Sequence, residues 1–198
     1  AIATGYMLDS ADDCGRFGVS LVIMNINSCN AESTRFCPAT LRPLHVSTYG
    51  LTVKMDGLIG SPPDYRTELE RLGCNGRLIS DKWMRNHVRW IVWKMAAIER
   101  RFAPFMEKDY LTFDRVSQEL LNRYSTEVRD GARSALRKVL NRDVSPNCML
   151  ILCVARIDCR AIESPSDDKE SSEPDRRVYS FELTDGWYSL RAVADEIL

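Results

Sequence analysis

The sequence predicts an α+β protein in which a mainly helical domain precedes a small antiparallel sheet. Apolar residues recur at helical spacing through the middle of the chain, and strand-like stretches follow a proline-containing break near its end. Apolar residues make up 44% of the 198 residues, which is enough to form a sizeable core. We predict a poorly ordered leader (1–40), a helical domain (41–146) and a sheet region (147–198).

The first part of the chain has the weakest pattern. Residues 1–40 contain Gly, Asp, Ser, Asn and Cys without a clear period, and only the stretch GVSLVIMNI is typical of a strand. Between 41 and 76, LTVKMDGLIG predicts two short strands about an Asp-Gly turn. DYRTELERL, from Asp64, predicts a short amphipathic helix that ends at Gly73.

A long central helix is predicted to begin at Ser80, since a serine side chain caps helix N-termini well, and to end before Pro104. Its apolar residues spread round most of its circumference, which is typical of a buried helix. We interpret its three tryptophans, Trp83, Trp90 and Trp93, as packing residues. His87 is predicted to be a hydrogen-bonded core or boundary residue rather than a catalytic base, because no nucleophile or second base accompanies it.

Two further helices are predicted after Thr112, with a bend or break at Gly131. Residues 77–142 carry 15 Lys and Arg against 8 Asp and Glu, a net charge of +7. Five basic residues form a stripe at roughly helical spacing, where like charges repel one another: Arg129, Arg133, Arg137, Lys138 and Arg142. An acidic partner or a phosphate backbone would relieve this repulsion, and the alternative is a set of solvated helix faces.

The last part of the chain predicts a three-stranded meander. MLILCVARIDC, from Met149, is nearly continuously apolar and is expected to be covered on both faces for much of its length. Residues 163–177 are rich in Ser, Pro and acidic residues and predict a flexible loop. VYSFELTDGWYSLRAV predicts a hairpin with a two-residue loop at Asp185 and Gly186. That register places Thr184 opposite Trp187, and so leaves a tryptophan on the polar face.

The motifs of catalysis and of metal binding are absent from the sequence. It contains no His-Glu-x-x-His, P-loop, Gly-x-Gly-x-x-Gly or Gly-x-Ser-x-Gly pattern. Its seven cysteines are scattered without a Cys-x-x-Cys pair, and its two histidines are isolated from them. We therefore predict a protein that is not an enzyme, with no catalytic residues, no metal site, no cofactor and no membrane span.

Two tryptophan-dense stretches, LISDKWMRNHVRWIVWKMAAIE and VYSFELTDGWYSLRA, resemble the DNA-binding region of the breast-cancer-type-2 susceptibility protein family in a plant-like version. The intervening stretches TFDRVSQELLNRYSTEVRDGARSALRKVLNRD and MLILCVARID resemble the same family in the same order. The resemblance runs from about residue 78 to 198. It implies a helical domain followed by a partial OB-fold, with three of the five strands of that barrel present.

The resemblance also implies a function in the nucleus. The family loads a RecA-like recombinase onto single-stranded DNA during double-strand-break repair by homologous recombination. A small acidic partner, the split-hand/split-foot-deleted protein, binds the helical domain and the first OB-folds. The recombinase-binding repeats and the other OB-folds, which provide most of the single-stranded DNA contact, are absent from this sequence.

Two functions therefore compete for this chain. The first is an interaction scaffold that binds the acidic partner through the basic stripe, an assignment that rests on charge rather than on a matched motif. The alternative is a direct single-stranded DNA-binding module in which Trp187, Tyr188 and Arg191 stack on bases and contact phosphates. Trp187 is expected to be covered by a helix in the first case and exposed in the second.

Overall fold

The computed structural model describes residues 20–47, 57–105, 109–161 and 177–194. It divides the chain into two compact units, Ala1–Arg133 and Ser134–Leu198. The helices and strands, in chain order, are α1 (Leu21–Asn25), β1 (Arg35–Phe36), β2 (Pro43–His45), α2 (Pro62–Arg71), α3 (Asp81–Phe102), α4 (Phe113–Arg123), α5 (Ala135–Leu140), β3 (Cys153–Ala161), β4 (Arg177–Thr184) and β5 (Ser189–Ala194). A helical first unit is thus followed by a three-stranded antiparallel sheet, which confirms the predicted fold class.

The long helix α3 lies at the centre of the first unit. It begins where predicted, because the Ser80 hydroxyl accepts the N–H of Trp83 at 3.1 Å. It ends at Phe102, two residues before the proline. Trp90 is fully buried, and Trp83 and Trp93 are partly buried against the core. These observations confirm that the three tryptophans are packing residues.

Part of the expected leader differs from the prediction. A short helix, α1, lies at Leu21–Asn25, where a strand was predicted. Ile23 and Ile26 are buried in the core. Arg100, on α3, donates hydrogen bonds to the carbonyl oxygens of both at 2.8 and 2.7 Å, which satisfies free carbonyls at the end of α1. Side chains from distant elements hold this segment in place. The periodicity of its own apolar residues therefore does not predict its structure. Residues 1–19 lie outside the described part.

Other expectations fall partly outside the described residues. LTVKMDGLIG spans residues 51–60, and its predicted first strand and Asp56 lie outside the described residues. Residues 163–176 of the predicted flexible loop lie outside them too. The helix predicted from Asp64 begins earlier, at Pro62. There Ser61 and Asp64 form a capping box, in which the Asp64 carboxylate accepts the Ser61 N–H at 2.8 Å.

A buried carboxylate, Glu99, joins three segments of the first unit. It forms an ion pair with Arg42 at 2.7 Å. It also accepts the backbone N–H groups of Tyr110 at 3.1 Å and of Leu111 at 2.7 Å. A carboxylate that is 5% exposed needs such partners, because burying an unpaired charge is costly. Glu99 was not distinguishable from the surface acids in the sequence.

A second polar network surrounds His87, which is fully buried. A guanidinium only donates, so Nδ1 of His87 accepts from Arg123 at 3.0 Å. Nε2 therefore carries the proton in neutral His87 and lies 3.2 Å from Oε2 of Glu127, which also accepts the indole N–H of Trp83 at 2.9 Å. The prediction of a hydrogen-bonded core histidine is confirmed. The helix predicted through this region continues from α4 as a π-helix, Tyr124–Arg129, which carries Glu127.

In the second unit, β4 pairs with β3 on one side and with β5 on the other, antiparallel throughout. A bulge between Val154 and Arg156 shifts the alternation of β3 by one residue. Val154 then lies opposite Leu183, and Ile157 lies opposite Phe181. Apolar residues at an odd spacing thus reach the same face of the sheet.

The expectation that the apolar stretch from Met149 is covered on both faces is wrong in this structure. The strand begins only at Cys153, and the side chains of Met149 and Ile151 are 96% and 94% exposed. Among the described residues, β3 pairs with β4 alone and is therefore an edge strand. Continuous apolar composition predicted burial, but burial of a strand's side chains needs elements packed on the faces of the sheet, and Val154 and Ile157 are 53% and 59% exposed.

Candidate interaction surface

The predicted hairpin exists, but its register differs by two residues. Thr184 lies opposite Ser189, so four residues form the loop instead of two. The cause is Asp185, whose Oδ1 accepts the N–H groups of Trp187 and Tyr188, both at 2.9 Å. Trp187 is therefore a loop residue and does not lie on the polar face of the strands. That placement removes the anomaly that the two-residue loop created.

The hairpin loop also contacts helix α5 within the second unit. Oδ2 of Asp185 accepts the N–H of Leu136 at 2.9 Å, and this N–H is one of those that a helix N-terminus leaves without an internal partner. The guanidinium of Arg137 lies over the ring of Tyr188, 5.0 Å from its centroid. Leu136 is fully buried, whereas Arg137 is exposed. Helix α5 is thus attached by its first turn and presents its basic side chains outward.

The five residues of the basic stripe do not lie on one helix. Arg129 ends the π-helix, and Arg133 lies in the non-helical segment before α5. Arg137 and Lys138 lie on α5, and Arg142 lies beyond its end. The repulsion inferred from i, i+4 spacing therefore does not apply across the whole stripe, because the helices are interrupted near Gly131, as predicted, and α5 begins only at Ala135. All five side chains belong to exposed residues.

Arg129 already has an acidic neighbour. Its Nε lies 2.8 Å from Oδ1 of Asp130, and both side chains are exposed. The hydrogen bond to Asp130 raises the pKa of Arg129, and the same bond lowers the pKa of the Asp130 carboxyl. This local pair partly neutralises one end of the predicted stripe.

Arg142 has an unusual backbone conformation. The N–H of Arg142 bonds to the carbonyl of Val139 at 2.9 Å, and that of Asp143 bonds to the carbonyl of Lys138 at 2.8 Å. These two bonds are the Schellman pattern that ends a helix, and the residue at its left-handed position is usually glycine. Arg142 occupies that position with φ of 65°. A left-handed arginine costs about 1–2 kcal/mol, so a strong reason is needed to keep a side chain there.

An open groove follows α5 immediately. Its volume is about 550 Å³, and its lining includes Leu140, Arg142, Val144 and Ser145. Leu140 and Val144 are 51% and 43% exposed, so the groove presents apolar surface beside the opposite charges of Arg142 and Asp143, which also lines it.

The residues of the alternative DNA-binding set are separated in this unit. Trp187 and Tyr188 are half-buried in the loop, and one face of the Tyr188 ring is taken by Arg137. Arg191 is exposed on β5, opposite Glu182. The three do not form a ready stacking platform.

The sequence did not reveal that Asp185 and Leu136 connect the hairpin loop to helix α5. Asp-Gly was interpreted only as a turn signal, and the apolar Leu136 only as an inward residue. The available signal was Ser134, which caps α5 through the N–H of Arg137 and marks a new helix start.

Within residues 20–47, 57–105, 109–161 and 177–194, no group of three or more His, Cys, Asp or Glu side chains could hold a metal ion. None of the helices in that part of the chain has the length and apolarity needed to cross a membrane.

Comparison with known families gives the same two-part organisation. The model of the BRCA2 helical domain matches residues 5–131, and that of the first BRCA2 oligonucleotide/oligosaccharide-binding domain matches residues 134–198. The chain belongs to the BRCA2 family. The BRCA2 domain matches meet within three residues of the division between the two units at Arg133 and Ser134.

Two plant BRCA2 relatives are similar to this chain over 130 residues. They are the BREAST CANCER SUSCEPTIBILITY 2 homologs B and A of Arabidopsis thaliana, at 36% and 35% identity respectively. The match covers 66% of this chain and 11% of each relative. The matched region is therefore a small part of those BRCA2 homologs.

Proposed function

We propose that this chain is a non-enzymatic interaction scaffold within a nuclear DNA-repair protein. Membership of the BRCA2 family supports a role in double-strand-break repair by homologous recombination. In this proposal the whole protein loads a RecA-like recombinase onto single-stranded DNA, through segments outside this sequence. The chain itself binds a small acidic protein, the split-hand/split-foot-deleted protein.

The observation that carries the proposal is the surface formed by α5 and the groove after it. Arg137, Lys138 and Arg142 are exposed there beside the apolar side chains of Leu140 and Val144. A cationic surface accelerates association with an acidic protein, and apolar contacts then slow its dissociation. Glycine would end α5 at this position without the cost of a left-handed side chain. The presence of Arg142 there supports a role for its charge in binding.

Charge reversal tests the proposal. We expect Lys138→Glu with Arg142→Glu to weaken binding of the split-hand/split-foot-deleted protein about tenfold or more, since like charges across an interface are repulsive. Both side chains are exposed, so the fold should be retained. The matched control is Arg77→Glu, an exposed arginine of the first unit outside the proposed surface.

The measurement is isothermal titration calorimetry at two salt concentrations. The proposed interface predicts that the control binds like the parent chain and that added salt weakens parent binding. Unchanged affinity of the double variant would remove the basic surface from the interface. Reversal of Arg133 with Arg137 provides a second test, in which Arg137 also loses its contact with Tyr188.

Direct binding of single-stranded DNA is the second candidate. The polar face of the sheet favours it, because Arg160 and Arg191 are both exposed and Arg191 lies beside the hairpin loop. A fluorescence titration with an unstructured oligonucleotide, repeated across salt concentrations, separates the two functions. Micromolar or tighter affinity with a steep salt dependence would support direct DNA contact by Trp187, Tyr188 and Arg191.

A further inference from the structure

The loop after α5 contains the pair Ser145-Pro146, whose surroundings differ from those of the other described Ser-Pro pair. Residues 141–149 are all exposed, and Ser145 lies in the middle of them. At Ser61-Pro62 the serine is half-buried in the capping box, with its Oγ 2.6 Å from a carboxylate oxygen of Asp64. One serine is thus accessible to an enzyme, and the other is engaged in holding a helix.

We propose that Ser145 is a phosphorylation site for a proline-directed serine/threonine kinase, and that the phosphate closes the basic surface beside α5 to an acidic partner. The regulatory half of this proposal rests on the proposed function. The phosphorylation site itself rests on the geometry of the loop, and mass spectrometry tests it independently of binding.

The backbone around Ser145 suits a kinase substrate. The residue before a proline is disfavoured in the helical region and is biased towards an extended conformation. The Schellman pattern at Arg142 ends α5 three residues earlier, so that the loop leaves the helix at a defined point. The Ser145 hydroxyl accepts the N–H of Asn147 at 3.2 Å, an exposed contact that water can replace.

The chemical step uses ATP as the phosphoryl donor. The Ser145 oxygen attacks the γ-phosphorus, an O–P bond forms, and the bond from that phosphorus to the β,γ-bridging oxygen breaks. ADP leaves with the electron pair of the broken bond. The hydroxyl proton passes to the catalytic aspartate of the kinase.

The expected effect is electrostatic. A phosphoserine carries about −1.5 to −2 charges at neutral pH. The three basic residues Arg137, Lys138 and Arg142 are opposed by Asp143 between residues 137 and 145, which gives a net charge of +2. A phosphate would therefore cancel most of the local positive charge. Ser145 and Arg142 line the same groove, so the phosphate would stand where an acidic segment is proposed to lie.

Phosphorylation is tested on the full 198-residue chain with a cyclin-dependent kinase, its cyclin and ATP, followed by site mapping by mass spectrometry. We expect one phosphate at Ser145, which Ser145→Ala and Pro146→Ala should both remove. Ser61→Ala is the matched control and should leave that phosphate in place. A third Ser-Pro pair, at Ser164, lies outside the described residues, so all variants are prepared with Ser164→Ala. Absence of phosphate at Ser145 overturns the site.

Binding is then compared for the modified and unmodified chains, with the split-hand/split-foot-deleted protein as the probe. We expect phosphorylation to weaken binding about tenfold, and the Ser145→Ala chain treated with the kinase to bind like the unmodified chain. Equal affinity of the modified and unmodified chains overturns the regulatory role. If the unmodified chain fails to bind, the proposed function fails and the regulatory role with it, while the mass measurement still decides the phosphorylation site.

Discussion

Replacement of Arg142 by glycine should change stability and partner binding in opposite directions. The left-handed backbone of Arg142 costs about 1–2 kcal/mol, a cost that glycine does not incur. Glycine loses more conformational entropy on folding, by roughly 0.4–1 kcal/mol. The difference between these two ranges is a gain of about 0–1.6 kcal/mol in the free energy of unfolding, with a middle value of about 0.8 kcal/mol. Because the variant also loses a charge beside the groove, it should bind the acidic protein several-fold more weakly.

The assay is urea denaturation followed by tryptophan fluorescence, together with calorimetric titration of the acidic protein. Arg142→Lys is the control, because it keeps both the charge and the left-handed side chain, and it should match the parent in both measurements. The reasoning would be refuted if the glycine variant were less stable than the parent. A more stable variant with unchanged binding would instead show that the charge of Arg142 has no part in the interface.

Three further predictions concern contacts that lie within one unit or the other. Asp185→Ala removes the acceptor of three N–H groups and should lower the free energy of unfolding by about 2–3 kcal/mol, measured by urea denaturation. Glu99→Ala leaves the N–H groups of Tyr110 and Leu111 without their acceptor and removes one partner of the half-buried Arg42, which keeps Asp109 and the Leu111 carbonyl; it should cost about 2–4 kcal/mol. Glu119→Ala, on the half-buried face of α4, should cost under about 1 kcal/mol. Arg129→Gln should return the pKa of the Asp130 carboxyl towards its ordinary value, which NMR titration measures. Because the pKa of Asp130 is lowered in the folded protein, its ionised carboxylate stabilises the fold above the unfolded pKa, and this contribution is lost as the pH falls through the folded pKa.

The elements predicted correctly have local signals. Helix α3 carries a capping serine, a broad apolar pattern and a terminating proline, all within one stretch of sequence. His87 and the three tryptophans were interpreted correctly because apolar neighbours at helical spacing fix their surroundings. The partners of His87, in contrast, lie on α4 and the π-helix, about 40 residues away. No local pattern identifies them.

The features that the sequence did not predict depend on contacts between distant segments. The hairpin register follows from the carboxylate of Asp185, which bonds within its own loop and also to a helix 49 residues earlier. The edge position of β3 follows from strand pairing, which apolar composition alone does not define. The break near Gly131 was predicted, but Arg133 was placed on the helix that follows it, and the cap at Ser134 instead starts α5 after that residue.

In α5, different residues provide attachment and exposed charge. The fully buried Leu136 and the bond from its N–H to Asp185 attach the helix to the hairpin. Lys138 and Arg142 contribute exposed charge, and Arg142 does so at a conformational cost. A surface needed only for folding would favour glycine at that position, as most helix ends do. Arg142 combines that conformational cost with an exposed charge, so its replacement by glycine should change stability and binding in opposite directions.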